Sequence, residues 1–197
     1  MLARSPPLPL VIDYRHRDIS AEDEGAINLA LAQRDRVLRI RFSVPVLKLQ
    51  KLIMALDREY PILEYLILAD PLQKDTALIL PETLQTPHLR HLVISYSILI
   101  RSPLLGTAAG LVTLHLSLSH PSAYFQPTVL LQWLSSMTQL EILQILFHFV
   151  IPNHDVEMQL MRTPIVTHVT LPNLRTFTLQ VVGAYSEAVF FFFFFFF

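Results

Sequence analysis

The side chains able to do chemistry are few, and their spacing limits what they can do. Arg34, Arg36, Arg39 and Arg41 form the densest basic group, with Arg15, His16 and Arg17 nearby in sequence. Guanidinium groups at alternate positions suit a phosphate or an acidic peptide. They also suit pairing with Asp13 or Glu64 on adjacent strands. Lys+Arg 15 against Asp+Glu 16 favours the pairing and leaves no global field to recruit nucleic acid or an acidic membrane. His88 and His91 are three apart on an expected strand, so they face opposite sides and make poor co-ligands. His154 and Glu157 align at i, i+3 on an expected helix, but no second such pair completes a metal site. Gly-rich phosphate loops, Gly-x-Ser-x-Gly elbows and His-Glu-x-x-His are all missing. Ser119 and His120 are neighbours in sequence, which says nothing about a triad. Cysteine is absent, which excludes disulfides, thiolate zinc sites and a cysteine nucleophile, and suits a reducing compartment. The chain reads as non-enzymatic, with no catalytic, cofactor or metal site.

The elements that must hold these side chains are marked by a repeated phrase, Leu-x-x-Leu-x-Leu. It is complete at Leu63/Leu66/Leu68 and Leu111/Leu114/Leu116. With Ile, Val or Phe admitted it also occurs at Val37/Ile40/Phe42, Leu89/Leu92/Ile94, Leu140/Leu143/Ile145 and Leu174/Phe177/Leu179. The chain is 52% hydrophobic, so a single apolar triple arises by chance in about one case in seven. Stronger support comes from proline two residues before the phrase at Pro61, Pro87 and Pro172, where its fixed φ can launch a strand at a set point. Successive phrases start 26, 26, 22, 29 and 34 residues apart. These intervals predict an α/β fold, a leucine-rich-repeat-like βα solenoid with a parallel sheet and irregular repeats of about 22–34 residues.

Leu8 to Tyr14 alternates like a strand. Ser20 is placed to cap a helix whose stripe is Ile27, Ala30 and Leu31. A second helix is expected from Val46 to Arg58, with Val46, Leu49, Ile53 and Leu56 on one face. From Ala69 to Thr86 a loop with a short extended piece at Leu78–Leu80 is expected, and Ser102 to Gly110 is ambiguous. Pro127 to Met137 reads as helical with Leu130, Leu131 and Leu134 inward and Trp133 in the core. A last helix is expected from Asp155 to Met161, capped by Asn153. The repeat domain is placed at residues 1–185. Residues 186–197 form an anomalous tail with Phe190 to Phe197 unbroken, as a pyrimidine tract read as coding sequence would give, and are set aside as artefactual.

Alternation along each strand sends the phrase residues inward and the residues between them outward. The expected protein-binding face is therefore Arg39, Arg41, Tyr65, Ile67, His91, Val93, Thr113, His115, Ile142, Gln144, Thr176 and Thr178, with Tyr65, His91 and His115 central.

With Pro-x-Leu-[Glu/Arg]-x-[Leu/Phe]-x-[Leu/Ile] at Pro61, Pro87 and Pro172, and Pro-Leu-Pro-Leu-Val-Ile-Asp-Tyr at Pro7 to Tyr14, the chain resembles fungal F-box proteins with degenerate leucine-rich repeats. The likeness covers about Pro6 to Tyr185. It implies a repeat region that selects the substrate of a ubiquitin ligase, joined in that family to an F-box docking on the adaptor Skp1. No F-box is found here. Leu80-Pro-Glu-Thr-Leu84 looks like an F-box opening, but Thr86-Pro-His-Leu-Arg follows in place of an amphipathic helix. The expectation is a non-catalytic interaction module with an unknown protein ligand, and with Skp1 only where an F-box precedes it. No nucleic-acid or membrane partner is expected. The alternative is a truncated or pseudogene-like product without independent function. The composition and the lack of a signal-like apolar segment near Met1 fit a cytoplasmic or nuclear location.

Overall fold

A computed structural model describes residues 8–16, 18–70, 77–96, 98–100, 104–148 and 169–180. Each phrase becomes one strand of a parallel sheet. The strands are β1 (Leu10–Tyr14), β2 (Val37–Ser43), β3 (Tyr65–Ala69), β5 (His91–Tyr96), β7 (Thr113–Leu118), β8 (Ile142–Phe147) and β9 (Thr176–Gln180). They lie side by side in that order, every neighbouring pair parallel, in an open α/β sheet with β1 and β9 at its edges. Two short strands, β4 (Leu78–Ile79) and β6 (Ile98–Leu99), form a separate parallel pair.

The turn before each strand shows why the prolines stand where they do. The N–H of Leu63 donates to the Tyr60 carbonyl, and Leu89 to Thr86, Leu111 to Ala108, Leu140 to Met137 and Leu174 to Leu171. Each is a four-residue β-turn, and Pro61, Pro87 and Pro172 occupy its second position, where a φ fixed near −65° is already correct. The phrase-opening leucine closes the turn, so one residue both ends the turn and enters the core. Its successor then joins the sheet. The Glu64 carbonyl accepts from the N–H groups of both Arg90 and His91, and Arg90 and Glu141 repeat the arrangement with the next strand.

Register keeps like with like. Ile40, Leu66, Leu92, Leu114 and Leu143 are partners in one row, and Phe42, Leu68, Ile94, Leu116 and Ile145 in the next. All ten are fully buried. Burying each is worth roughly 1.5–3 kcal/mol, most of it offset by lost conformational entropy. At the edge the rows weaken, because among the described residues Phe177 and Leu179 of β9 have a neighbouring strand on one side only, and they stay half-buried.

The connections cover the phrase-bearing side. Helix α1 (Ala21–Leu31) starts as expected, with Ser20 Oγ accepting from the Asp23 N–H, and buries Ile27 and Leu31. Helix α2 (Val46–Met54) buries Val46, Leu49, Leu52 and Ile53 but ends four residues short of Arg58. Its carbonyls run out at Ala55 and Leu56, which turn back on Leu52 and Ile53. The ambiguous segment holds a single helical turn, α3 (Leu104–Thr107). Helix α4 (Pro127–Leu134) has proline in its first turn, buries Leu130, Leu131 and Leu134, and stops three residues before Met137. Trp133 is half-buried against Phe125, with ring centroids 5.0 Å apart, so it lines the core instead of filling it. Not every connection is helical: around β4 and β6 the covering layer is extended chain. The expected helix at 155–161, the His154/Glu157 pair and the tail at 186–197 lie outside the described residues.

Candidate protein-binding face

The opposite side of the sheet carries the outward residues in straight cross-strand rows. Arg39, Tyr65, His91, Thr113, Ile142 and Thr176 are register partners in one row. Arg41, Ile67, Val93, His115, Gln144 and Thr178 form the second. All are half-buried except Thr176 and Thr178, which are exposed on the edge strand. Period-2 alternation thus delivers every expected face residue to one surface.

In the first row, planar groups stack across strands. The Arg39 guanidinium carbon lies 4.9 Å from the centre of the Tyr65 ring. The Tyr65 and His91 rings are 4.3 Å apart and inclined by 10°, a parallel stack at the spacing of neighbouring strands. His91 Nδ1 and the Thr113 hydroxyl share a hydrogen bond at 3.1 Å. Burial pushes the His91 imidazole below its ordinary pKa, the Arg90 and Arg39 charges push the same way, and Glu64 opposes them. Burial lowers His115 as well. The centre of the face is therefore uncharged at neutral pH.

The arginines do not pair as the balanced charge suggested. Asp13 faces Arg41 across β1 and β2, yet its carboxylate is taken by Arg15, whose Nε lies 2.7 Å from Oδ1. That bond holds the Asp13 carboxyl below the usual range, with the Arg41 and Arg39 charges adding to it. Among the described residues neither Arg39 nor Arg41 has an ion pair, and the Nε of each is buried without a hydrogen-bond partner. Glu64 stands one position before β3, beside Leu38, and is not held by either arginine.

A third row was missed, because the phrase ends before the strand does. Ser43, Ala69, Ser95, Ser117, Leu146 and Gln180 continue the outward alternation by two more positions. Extending each strand by its own period would have found them. In that row Ser117 Oγ lies 2.9 Å from His148 Nε2. The distance is that of a nucleophile and its base, but Ser117 is 5% exposed, which leaves no approach for a reacting carbonyl. His88 sits exposed in the turn before β5, apart from His91. Among the described residues no group of three or more His, Asp or Glu could hold a metal ion. No helix there is long and apolar enough to cross a membrane. No family model, no curated protein and no solved structure matches the chain.

Proposed function

We propose that this chain is a non-catalytic protein-interaction module, a leucine-rich-repeat-like βα solenoid that binds its partner on the open face of its sheet. The observation that carries the reading is that, among the described residues, the outward rows stay only partly buried while the phrase rows are fully buried. Parallel sheets occur almost only with both faces covered. Here the connections described cover one, and the other presents Ile67, Val93, Ile142 and Leu146 half-buried among polar groups. Such a surface gains most from a second protein laid against it. The Tyr65–His91 stack supplies rigid aromatic area at its centre, of the kind that anchors interfaces. The resemblance to F-box proteins adds a context, in which the module would be the substrate-recognition region of a ubiquitin-ligase adaptor.

The test is comparative capture. The chain and its Tyr65→Ala/His91→Ala/His115→Ala variant are used as baits at matched stability, and recovered proteins are re-tested in purified form. The proposal expects a partner that the variant loses. Equal recovery by both baits would count against the face. Skp1 should bind only when an F-box is supplied upstream; binding by the present chain would overturn the view that it acts as the substrate-selecting part alone.

A further inference from the structure

Arg39 and Arg41 are alternate residues of β2 and project to the same side of the sheet. An arginine on a sheet surface ordinarily meets an acid across the strand. The register gives Arg39 the Tyr65 ring and Arg41 the Ile67 side chain on one flank. On the other flank they meet Val11 and Asp13, and Asp13 is already engaged by Arg15. Each guanidinium is thus desolvated at Nε without a partner there. Among the described residues neither arginine has an ion pair, and both are only half-buried, so the two guanidinium groups are available together on one surface. A carboxylate is the group a guanidinium fork fits with two parallel bonds.

The rest of the face specifies what accompanies that carboxylate. Beyond Arg41 the same row runs to Ile67 and Val93, and then to His115 and Gln144. Strands lie about 4.8 Å apart, so Val93 is roughly 10 Å from Arg41, a distance spanned by about three extended residues. We infer that Arg39 and Arg41 seat the carboxylates of an acidic segment of a partner protein, with Ile67 and Val93 receiving an apolar side chain two or three residues further along. This rests on the face being a protein-binding surface. Asp13 and Glu64 border the seat and oppose an acidic ligand, so they set how strongly it binds. Nucleic acid is the poorer occupant: the formal charge of the whole chain is −1, and the residues next to Arg41 in its row, Ile67 and Val93, are apolar.

The test uses the full chain and fluorescence anisotropy with a labelled dodecapeptide pool. The pool carries two adjacent acidic residues followed by Ile or Val two or three positions on. A matched pool has Lys at the acidic positions, and an oligothymidine strand is the third probe. The acidic pool is expected to bind, with affinity lowered by salt. Arg39→Glu/Arg41→Glu should weaken it by about tenfold or more. Asp13→Asn should tighten it several-fold by removing the opposing charge, whereas Gln50→Glu, exposed on α2 on the helical side, should change little. Unfolding midpoints show that each variant is folded; should the double charge reversal not fold, Arg39→Gln/Arg41→Gln replaces it with the same expectation. Indifference to the arginines, preference for the Lys pool, tighter binding of the oligonucleotide, or no binding of the acidic pool each overturns the inference. A captured protein that needs Tyr65 and His91 but not the arginines would overturn it while leaving the binding face intact. Loss of neither would remove both.

Discussion

If the face is pre-organised, the Tyr65–His91 stack must store measurable coupling energy. The rings are 4.3 Å apart and 10° from parallel, and Arg39 lies 4.9 Å from the Tyr65 centroid on the other side. Aromatic pairs of this kind are worth about 0.5–1.5 kcal/mol beyond area burial. A partly exposed cation–π contact adds about 0.5–1 kcal/mol. Tyr65→Ala should therefore cost at least about 1–2.5 kcal/mol, the sum of the two contacts it ends, before the lost burial of the ring itself is added. A double-mutant cycle of Tyr65→Ala with His91→Ala isolates the first contact, and should give a coupling of about 0.5–1.5 kcal/mol. The assay is urea unfolding above pH 7, where His91 is neutral, read by the fluorescence of Trp133, the only tryptophan. Slopes must match among variants for the free energies to be comparable. A coupling under about 0.3 kcal/mol, the ordinary error of additivity, would mean that the rings merely lie near each other.

Three further outcomes follow from the packing and the charges. Leu114→Ala, fully buried in the interior strand β7, should cost about 2–5 kcal/mol, and Leu179→Ala, half-buried on the edge strand, clearly less; equal losses in urea unfolding would contradict the register. Pro87→Ala should destabilise by about 0.4–1 kcal/mol, because proline at the second turn position narrows the unfolded ensemble without strain; a stabilised variant would refute the turn assignment. His91 and His115 have lowered pKa values in the folded state, so the unfolded chain binds the extra protons. Stability should be full above the ordinary histidine value of 6.5 and fall as pH drops below it, and His91→Gln should flatten that fall. Asp13 and Asp23, held below the ordinary 3.8, lose their contribution only at lower pH and leave this window clear. A profile that rises on acidification would refute the sign.

Much of the sheet was legible because the same side chains fix period and position. Leu63, Leu66 and Leu68 mark inward sites of one strand, and the residues between them are outward by geometry alone. The Ser20 cap was legible for the same local reason. What escaped was set by tertiary neighbours. Helix α2 stops at Met54 although its apolar stripe continues to Leu56, which packs into the core from the following turn. Strand β4 lies on the short extended piece expected at Leu78–Leu80, but its partner β6 exists through pairing with it, and two residues carry no readable period. The arginines misled because charge balance gives totals and not partners: Arg15, outside the phrase, reaches Asp13 first. Ser117 and His148 meet across 31 residues, a contact that only register could reveal.

The central claim, that the outward rows are the binding surface, is tested most directly by side-chain oxidative footprinting of the chain alone and with its captured partner. Tyr65, His91 and His115 should lose most of their reactivity in the complex, while Met54, 62% exposed at the end of α2, keeps its own. Protection of Met54 with Tyr65 and His91 unchanged would place the partner on the helical side and contradict the account.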